Sequence, residues 1–276
     1  LAFSSAPDFE TPGCGAGDNS NTCAVVIQVT DGANTDTITV TVNVQDVNEF
    51  SPVFGDGDTA TATPNENQQA VGTYAATDAD GTATQTYSIL TAAQNAASVD
   101  HDLFSVGAGG VLAFSSAPDF ETPGCGAGDN SNTCAVVIQV TDGANTDTIT
   151  VTVTVQDLND ETPAFTSSGT PSINENVRNV LTLAASDTDA GDSATFAITG
   201  GADSELFEID GGTTLRFAAA AGANYESPGD AGTNNEYVVV VTATDTGANA
   251  VAQTITITIQ DVNEFSPVFG DGDTAT

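Results

Sequence analysis

The sequence QDVNEFSPVF at 45–54 returns unchanged at 260–269, and a close variant, QDLNDETPAF, stands at 156–165. Each copy follows a run in which Thr alternates with Val or Ile, and strand-like segments follow the first two copies. Carboxylates and amides are oxygen ligands for hard cations. Their recurrence at domain spacing predicts a tandem array of modules with cations held where one module meets the next.

Internal repeats fix the organisation of the chain. Residues 1–42 are identical to 112–153, and 45–61 are identical to 260–276. A repeat of about 100 residues suits one independent β-sandwich and is too long for a solenoid unit. We therefore predict the back half of one module (1–46), a complete module (47–157), a second complete module of different sequence (158–261), and the linker and first strand of a further module (262–276).

Period-2 patterns predict an all-β fold. In Thr146–Gln156 the apolar side chains fall on one face and the threonines on the other, as expected for half-buried antiparallel strands. Strand-like runs also occupy 84–90 and 134–141, and Gly, Asp and Asn clusters separate them. No stretch has a helical period. We predict tandem Greek-key β-sandwich modules of about seven strands, and the apolar faces include Ile149, Val151, Val153, Val155, Ile255, Ile257 and Ile259.

The charge balance excludes some partners. Lys and Arg together number 2 and Asp and Glu together number 38, which gives a net charge of −36. Phosphate binding needs basic side chains, so the chain should repel nucleic acid and anionic membranes. There is also no apolar run of about 18 residues to span a bilayer. We expect no direct membrane insertion by these residues.

The four cysteines form two pairs, Cys14 with Cys23 and Cys125 with Cys134, each within the segment GCGAGDNSNTCA. An even number at fixed spacing favours a local disulfide across a loop, and so an oxidising, extracellular compartment. A zinc site is the alternative, although two Cys with no nearby His cannot complete tetrahedral coordination. We predict two disulfides.

Acidic residues recur in the same order in both complete modules. Asp or Asn before Gly is an ordinary turn residue, so one such motif alone indicates little. The full set, in register with the linker, favours a hard cation such as Ca²⁺, which takes about six to eight oxygen ligands. The matched positions are Glu66, Asp78, Asp80, Asp119, Glu121, Asp142, Asp157, Asn159 and Asp160 in one module, and Glu175, Asp187, Asp189, Glu226, Asp245, Asp261, Asn263 and Glu264 in the other.

Over essentially its whole length the chain resembles a tandem array of cadherin repeats of the bacterial or marine type. The resemblance is carried by N-E-N, A-x-D-x-D, the hairpin from Leu103-Phe104-Ser105-Val106 to Leu112, x-D-x-E, D-x-G and the D-x-N-[DE]-x-x-P linker. It implies a cadherin/immunoglobulin-like sandwich with calcium between modules. The leading module supplies its early Glu, x-D-x-E and linker, and the following module supplies D-x-D and the later Asp.

The resemblance implies a ligand set for each junction. The middle junction takes Glu66, Asp119, Glu121, Asp157, Asn159, Asp160, Asp187, Asp189 and Asp245, with the carbonyls of Leu158 and Glu161. The first takes Asp8, Glu10, Asp46, Asn48, Glu49, Asp78, Asp80 and Asp142. The last takes Glu175, Glu226, Asp261, Asn263 and Glu264.

Some positions depart from the family pattern. Glu49 and Glu264 stand where the family has Asp, and Phe50 takes the place of an Asn used through its carbonyl. Asn224 occupies the place of Asp119, which removes one charge.

The resemblance implies a calcium-binding, cell-surface or secreted adhesion module, stiffened by Ca²⁺ and not an enzyme. Partners would be calcium and other cell-surface proteins, bound homophilically or heterophilically, or a polysaccharide. The alternative is a carbohydrate-binding accessory or spacer module of a secreted polysaccharide-degrading protein. Catalysis is disfavoured because the chain has no Trp, four Tyr and one His, His101, with no nucleophile signature beside it.

Overall fold

The computed structural model describes residues 1–14, 20–81, 84–126, 128, 130–189 and 191–267. The chain divides into two compact units, and the second begins at Asp157. The first unit contains both the half-module and the complete module that the sequence predicts, so the boundary after residue 46 remains a prediction. The strand predicted within 262–276 falls largely outside the described residues.

Within residues 1–46, two strands form one long β-hairpin. Strand β1 (Thr22–Thr30) pairs with β2 (Thr35–Asn43) in an unbroken antiparallel register from Thr22↔Asn43 to Thr30↔Thr35. Asp31 closes the turn, since its Oδ1 accepts hydrogen bonds from the Ala33 and Asn34 amides. Val29 and Ile38 remain 67% and 62% exposed. The hairpin therefore forms although its apolar face is uncovered.

The rest of the first unit is a β-sandwich. A four-stranded sheet has the order β4-β11-β10-β7, a three-stranded sheet has the order β5-β9-β8, and β3 pairs with β6. The seven strands of the two larger sheets match the predicted number. The strands are β3 (Val53–Phe54), β4 (Thr59–Ala62), β5 (Ala70–Thr73), β6 (Ala76–Thr77), β7 (Thr86–Ile89), β8 (Phe104–Val106), β9 (Val111–Phe114), β10 (Thr133–Thr141) and β11 (Thr146–Thr154).

The core lies between the two larger sheets. Ile149, Val151 and Val153 are fully buried on one face of β11, as their alternation with Thr predicts. They belong to the same apolar cluster as Leu112 and Phe104 of the three-stranded sheet. Strand β4 pairs in parallel with β11 at the edge of the four-stranded sheet, from Thr59↔Thr150 to Ala62↔Val153.

The second unit repeats this architecture, with sheets β13-β20-β19-β16 and β14-β18-β17 and the pair β12-β15. No helix in the described residues is long and apolar enough to cross a membrane; the helical segments are short 3₁₀ turns. The strands are β12 (Ala164–Phe165), β13 (Ser172–Asn174), β14 (Asn179–Thr182), β15 (Ala185–Ser186), β16 (Thr195–Gly200), β17 (Phe207–Asp210), β18 (Thr214–Phe217), β19 (Glu236–Thr244) and β20 (Ala250–Gln260).

Both predicted disulfides, Cys14–Cys23 and Cys125–Cys134, are present, and they replace the zinc alternative. The buried Asp100 supports the second disulfide loop, because its two oxygens accept the Gly126 and Ala135 amides at 2.8 Å each. The second unit lacks the cysteines. There Asp203 plays the same part, accepting the Ala231 and Val238 amides at 2.7 Å.

Candidate metal centres

The first acidic cluster joins residues on both sides of the linker at 45–54. One carboxylate oxygen each from Glu10, Asp46 and Asp80 lies within 4.8 Å of the other two, and the same is true of Asp78, Asp80 and Asp142. These five residues form the first cluster. Glu10 precedes the linker in sequence, Asp46 lies within it, and the other three follow it. The fold thus brings together groups that the sequence assigns to successive modules.

Turns hold the Asp residues of the first cluster in place. The Asp80 amide donates to Asp78 Oδ1 at 3.0 Å, which gives the D-x-D segment its bend. Asp142 Oδ1 accepts the Ala144 and Asn145 amides at 2.7 and 2.6 Å, and Gly143 has a φ of +99°. These are ordinary Asx turns, and each occupies one oxygen of a carboxylate that has two.

The linker is bound to the first cluster through its backbone. The Phe50 amide donates to Asp80 Oδ2 at 2.8 Å, and the Phe50 carbonyl accepts Asn145 Nδ2 at 2.7 Å. The main chain of Phe50 therefore makes two hydrogen bonds at the position where the cadherin pattern has Asn. Glu49 is exposed, and Asp8 is an exposed turn residue that accepts the Glu10 and Thr11 amides.

The second cluster lies in the first unit and consists of Glu66, Asp119 and Glu121, each with a carboxylate oxygen within 4.8 Å of the others. Glu66 is 2% exposed, and its Oε2 accepts the Phe120 amide at 2.7 Å, which ties the early Glu to the x-D-x-E loop. Asp119 Oδ1 accepts the Thr122 amide at 2.9 Å.

The third cluster lies in the second unit and consists of Asp187, Asp189, Asp192 and Asp245, again within 4.8 Å. The Asp189 amide donates to Asp187 Oδ1 at 3.1 Å, and the Glu161 amide donates to Asp189 Oδ2 at 3.1 Å. The linker is thus bound to the D-x-D segment, as in the first unit.

The fourth cluster, also in the second unit, consists of Glu175, Glu226, Asp261 and Glu264. Glu175 is 2% exposed, and its two oxygens accept the Tyr225 and Val262 amides at 2.9 Å each. Asn224 Oδ1 accepts the Ser227 amide at 2.9 Å, the same turn contact that Asp119 makes. The Asn therefore keeps the turn and loses only the charge. Asn263 is exposed.

In three of these clusters, the pKa of one carboxyl group is raised and the pKa of another is lowered. Burial raises the pKa of Glu10, Asp189 and Glu264, and neighbouring carboxylates raise it further. For Asp189 these neighbours are Asp187, Asp157 and Asp160. Hydrogen bonds lower the pKa of Asp142, Glu175 and Asp192; for Asp142 the largest cause is the Asn145 amide. Like charges crowded together resist ionisation together unless a cation compensates them.

The carboxylate oxygens of these clusters are ligands that fit a hard divalent cation. Asp80 and Asp189 are only 2% and 5% exposed, and no described group donates to Oδ1 of either residue. Oδ2 of Asp78 and Oδ2 of Asp187 are likewise buried without a described donor. Burying an unpaired charged oxygen is costly, and a cation removes that cost. Oxygen-only ligands are those that Ca²⁺ prefers.

The structure brings together most of the residues that the sequence predicts within each unit, but one member of a cluster was not predicted. Asp192 lies three residues after the D-x-D segment, in SDTDAGDS, and the other module has no acidic residue at this place. A third Asp in that spacing was the available signal. Asn145 and Asn249, which hold the later Asp turns, were also not predicted.

Comparisons with known proteins support the fold. No family model matches the chain, and no curated protein matches it. Among solved structures, the protocadherin gammaB4 extracellular domain matches with a TM-score of 0.60 at 24% identity, over 91% of this chain and 39% of that one. The fold is that of cadherin repeats.

Two other cadherin structures match similarly. The human desmocollin-1 ectodomain has a TM-score of 0.54 at 21% identity, over 88% of this chain and 49% of that one. Human protocadherin-24 EC1-2 has a TM-score of 0.58 at 21% identity, over 78% of this chain and all of that one. The cadherin-like chain thus spans half or less of the first two ectodomains, and these identities relate it to cadherins by fold alone.

Proposed function

We propose that this cadherin-like chain is a non-catalytic, calcium-binding module of an extracellular adhesion protein, in which Ca²⁺ at the acidic linkers stiffens successive repeats. The first cluster carries the proposal, because its carboxylates come from both sides of one linker and lie within 4.8 Å. Without a cation the carboxylates of the cluster repel one another. With a cation bound, the linker becomes part of its coordination sphere.

Each cluster would contribute carboxylate oxygens to the ion, and the linker would add backbone or amide oxygens. At the linker starting with Asp157, the D-x-D and later Asp residues of the second unit would bind calcium in the same way as the proposed ligands at the corresponding positions of the first unit. Calcium supplies positive charge and crosslinks oxygen ligands, and it performs no chemistry here. The proposal therefore includes no catalytic residue.

The expected affinity is that of extracellular calcium modules, about 10⁻⁴–10⁻³ M. Binding to the folded state alone raises stability by mass action. Extracellular or seawater calcium would thus keep the sites filled and the repeats stiff.

An adhesive role rather than polysaccharide binding is supported by the matched structures, which are ectodomains of surface proteins. The two disulfides agree with an extracellular or cell-surface location. The partner would be another surface protein or a second copy of this chain.

The test of calcium binding is isothermal titration calorimetry of the whole chain, together with melting temperatures in calcium and in chelator. Asp80→Asn should weaken binding and reduce the calcium-dependent rise in melting temperature. Asp102→Asn, which removes a 90% exposed carboxylate, is the matched control and should leave both unchanged. Equal melting temperatures in calcium and in chelator would refute the proposed site.

Adhesion needs a separate test. Beads coated with the chain should aggregate with one another, or bind cells, in calcium and disperse in chelator. Retention of the chain on an insoluble polysaccharide, with no bead aggregation or cell binding, would instead support the accessory-module alternative.

A further inference from the structure

The two hairpins that share one sequence differ in what pairs with their outer strand. In the first sandwich, β4 pairs in parallel with residues 150–153 of β11. Strand β2 has the sequence and register of β11 apart from its last residue, but among the described residues its sheet contains only β1 and β2. An unpaired strand edge offers backbone donors and acceptors to another strand. β2 therefore has an open edge at the position that β4 fills on β11.

The backbone contact with β4 shows which group lies at this open edge. The Thr150 amide donates to the Asp58 carbonyl, at the start of β4, at 2.9 Å. Because the two hairpins share one register, Thr39 of β2 has the position of Thr150. The Thr39 amide is thus the donor that a strand at the open edge would satisfy.

An apolar contact accompanies this backbone contact in the first sandwich. Phe54, just before β4, is 2% exposed in the same apolar cluster as Ile149, and its amide donates to Asp147 Oδ2 at 3.0 Å. The counterparts of Ile149 and Asp147 in the first hairpin are Ile38 and Asp36, and both are exposed. A phenylalanine placed like Phe54 would therefore cover Ile38 and donate to Asp36.

The chain contains a second segment with the sequence that makes these contacts. Residues 260–276 repeat 45–61 without a change. Residues 268–276 lie outside the described residues, so their likeness to 53–61 is one of sequence. Both partners of the contact inside the first sandwich thus occur twice in the chain. The counterparts of Phe54, Asp58, Thr59 and Ala60 are Phe269, Asp273, Thr274 and Ala275.

We propose that the open edge of β2 is a docking site for residues 268–276 of a second copy of this chain, in the parallel register that β4 uses on β11. Thr274 would lie opposite Thr39, and the Asp273 carbonyl would accept the Thr39 amide. Pairing with a second copy sets no condition on how the two units of one chain are arranged. The inference goes beyond the proposed function, because no calcium ion takes part in the contact.

The contact joins two different parts of the chain, so it is heterologous. Each copy that docks its last residues on a neighbour still presents its own open edge, and further copies can add head to tail. At low salt the net charge of −36 opposes the approach of two copies. In about 1 M sodium chloride the Debye length falls to about 3 Å, so this repulsion is largely screened without calcium.

Two proline substitutions form a matched pair for the test. Backbone groups of alternate residues in a strand point to opposite sides. Since the Asp58 carbonyl faces β11, the Ala60 amide faces it too, whereas the Thr59 amide faces away. Ala275→Pro should therefore remove a donor to β2, and Thr274→Pro should not. Both positions follow β20, so neither change interrupts a described strand.

The association of the whole chain is measured by sedimentation equilibrium in chelator and about 1 M sodium chloride. From about 1 μM to about 1 mM protein, the average molar mass should rise in the wild type and in Thr274→Pro. In Ala275→Pro the association constant should fall at least about tenfold, as expected for a lost backbone hydrogen bond. A wild type that stays monomeric, association unchanged in Ala275→Pro, or equal loss in both variants would overturn the inference.

Hydrogen exchange of the Thr39 amide, followed by NMR, locates the contact. Exchange should slow as the concentration of the wild type rises, and it should stay fast in Ala275→Pro. The Thr150 amide is the internal reference, because β4 covers it in every sample. Slow Thr39 exchange without a rise in mass would place the segment on the hairpin of its own chain and would overturn docking of a second copy. Calcium binding can fail in calorimetry without changing any of these outcomes.

Discussion

Asp189 is a buried carboxylate of the proposed calcium site. It is 5% exposed, near Asp187, Asp157 and Asp160, and its pKa is raised above the ordinary value of 3.8, first by burial and then by these charges. In the absence of a cation the charged form is disfavoured in the folded state. With a cation bound, the same charge becomes a ligand.

Asp189→Asn should therefore change the melting temperature in opposite directions in chelator and in saturating calcium. In chelator near neutral pH it should raise the melting temperature, because it removes a buried charge that is repelled by its neighbours. In saturating calcium it should lower the melting temperature, because it removes a ligand. Differential scanning calorimetry in the two buffers measures both effects.

The gain in chelator should depend on pH. A carboxyl whose folded-state pKa is raised stabilises the fold below its unfolded pKa, and this contribution is lost as pH rises through the folded pKa. The advantage of Asp189→Asn should thus disappear below the ordinary Asp pKa of 3.8. A substitution that lowers the melting temperature in both buffers at neutral pH would contradict this account.

The sequence shows which residues are acidic and where they recur. It does not predict which carboxylate oxygens remain available to bind a cation in the folded chain. Asp80 and Asp189 were predicted from their D-x-D motif. Their Oδ1 atoms are buried with no donor among the described residues, and this depends on loops that meet only in the folded chain. Asp192 was missed for the same reason, since its partners Asn159 and Thr246 are 33 and 54 residues away.

Two hairpins that differ at a single position give an internal comparison at the level of elements. Strands β1 and β2 have the same sequence and register as the paired part of β10 and β11, apart from Asn43 in place of Thr154. Ile38 is 62% exposed and Ile149, its counterpart, is fully buried. Because the local sequence is the same, the difference in exposure comes from the other strands of the sandwich that cover Ile149.

Ile149→Ala should lower the free energy of unfolding by about 2–5 kcal/mol, because it leaves a cavity in the core. Ile38→Ala should change it by no more than about 0.5 kcal/mol, because this side chain is already exposed. Urea unfolding followed by circular dichroism measures both, and each variant is the control for the other. Equal losses would mean that the first hairpin is also covered in solution.

The Cys125–Cys134 disulfide closes a loop of about ten residues, so its loss should cost about 2–3 kcal/mol in the chain-entropy model. The double substitution Cys125→Ala with Cys134→Ala tests this by urea unfolding. The loop should still dock after this change, because Asp100 continues to accept the Gly126 and Ala135 amides. Loss of the sandwich in the double variant would contradict that expectation.

At the element scale, prediction succeeded where one face of a strand is buried. The Thr and Val alternation identified β11, because its period matches the pleat. It did not reveal that β4 pairs in parallel with β11, because TATA has no large apolar side chain. The Asp100 and Asp203 contacts were missed because they link positions distant in sequence.

At the scale of the whole molecule, a net charge of −36 opposes folding through self-repulsion. Monovalent salt screens charges over a Debye length of about 8–10 Å, which is longer than the 4.8 Å that limits distances within the clusters. Salt should therefore relieve the long-range repulsion and leave the repulsion inside each cluster largely intact.

We accordingly expect calcium to raise the melting temperature of the chain much more than sodium chloride of equal ionic strength. Thermal unfolding in chelator, in sodium chloride and in calcium chloride separates the two contributions. Identical curves in the two salts would indicate general screening and would argue against ligation in the clusters.

The organisation of the chain was the part best suited to sequence analysis, because exact repeats are visible without any structure. The second compact unit begins at Asp157, within the linker at 156–165, and the module boundaries themselves remain predictions. The compact first unit, in contrast, includes the hairpin of residues 1–46. The approach of Glu10 and Asp46 to Asp80 could not be read from sequence, because it joins positions far apart in the chain.

The repeated linker has a consequence for how such an array can change in length. The segment 45–61 recurs without a single change at 260–276. Insertion or deletion between these points, by recombination in frame, would add or remove whole sandwiches without cutting a strand. The boundary left behind would again read QDVNEFSPVF. Arrays of this design can thus lengthen or shorten in steps of entire repeats while the acidic composition of every remaining junction is preserved.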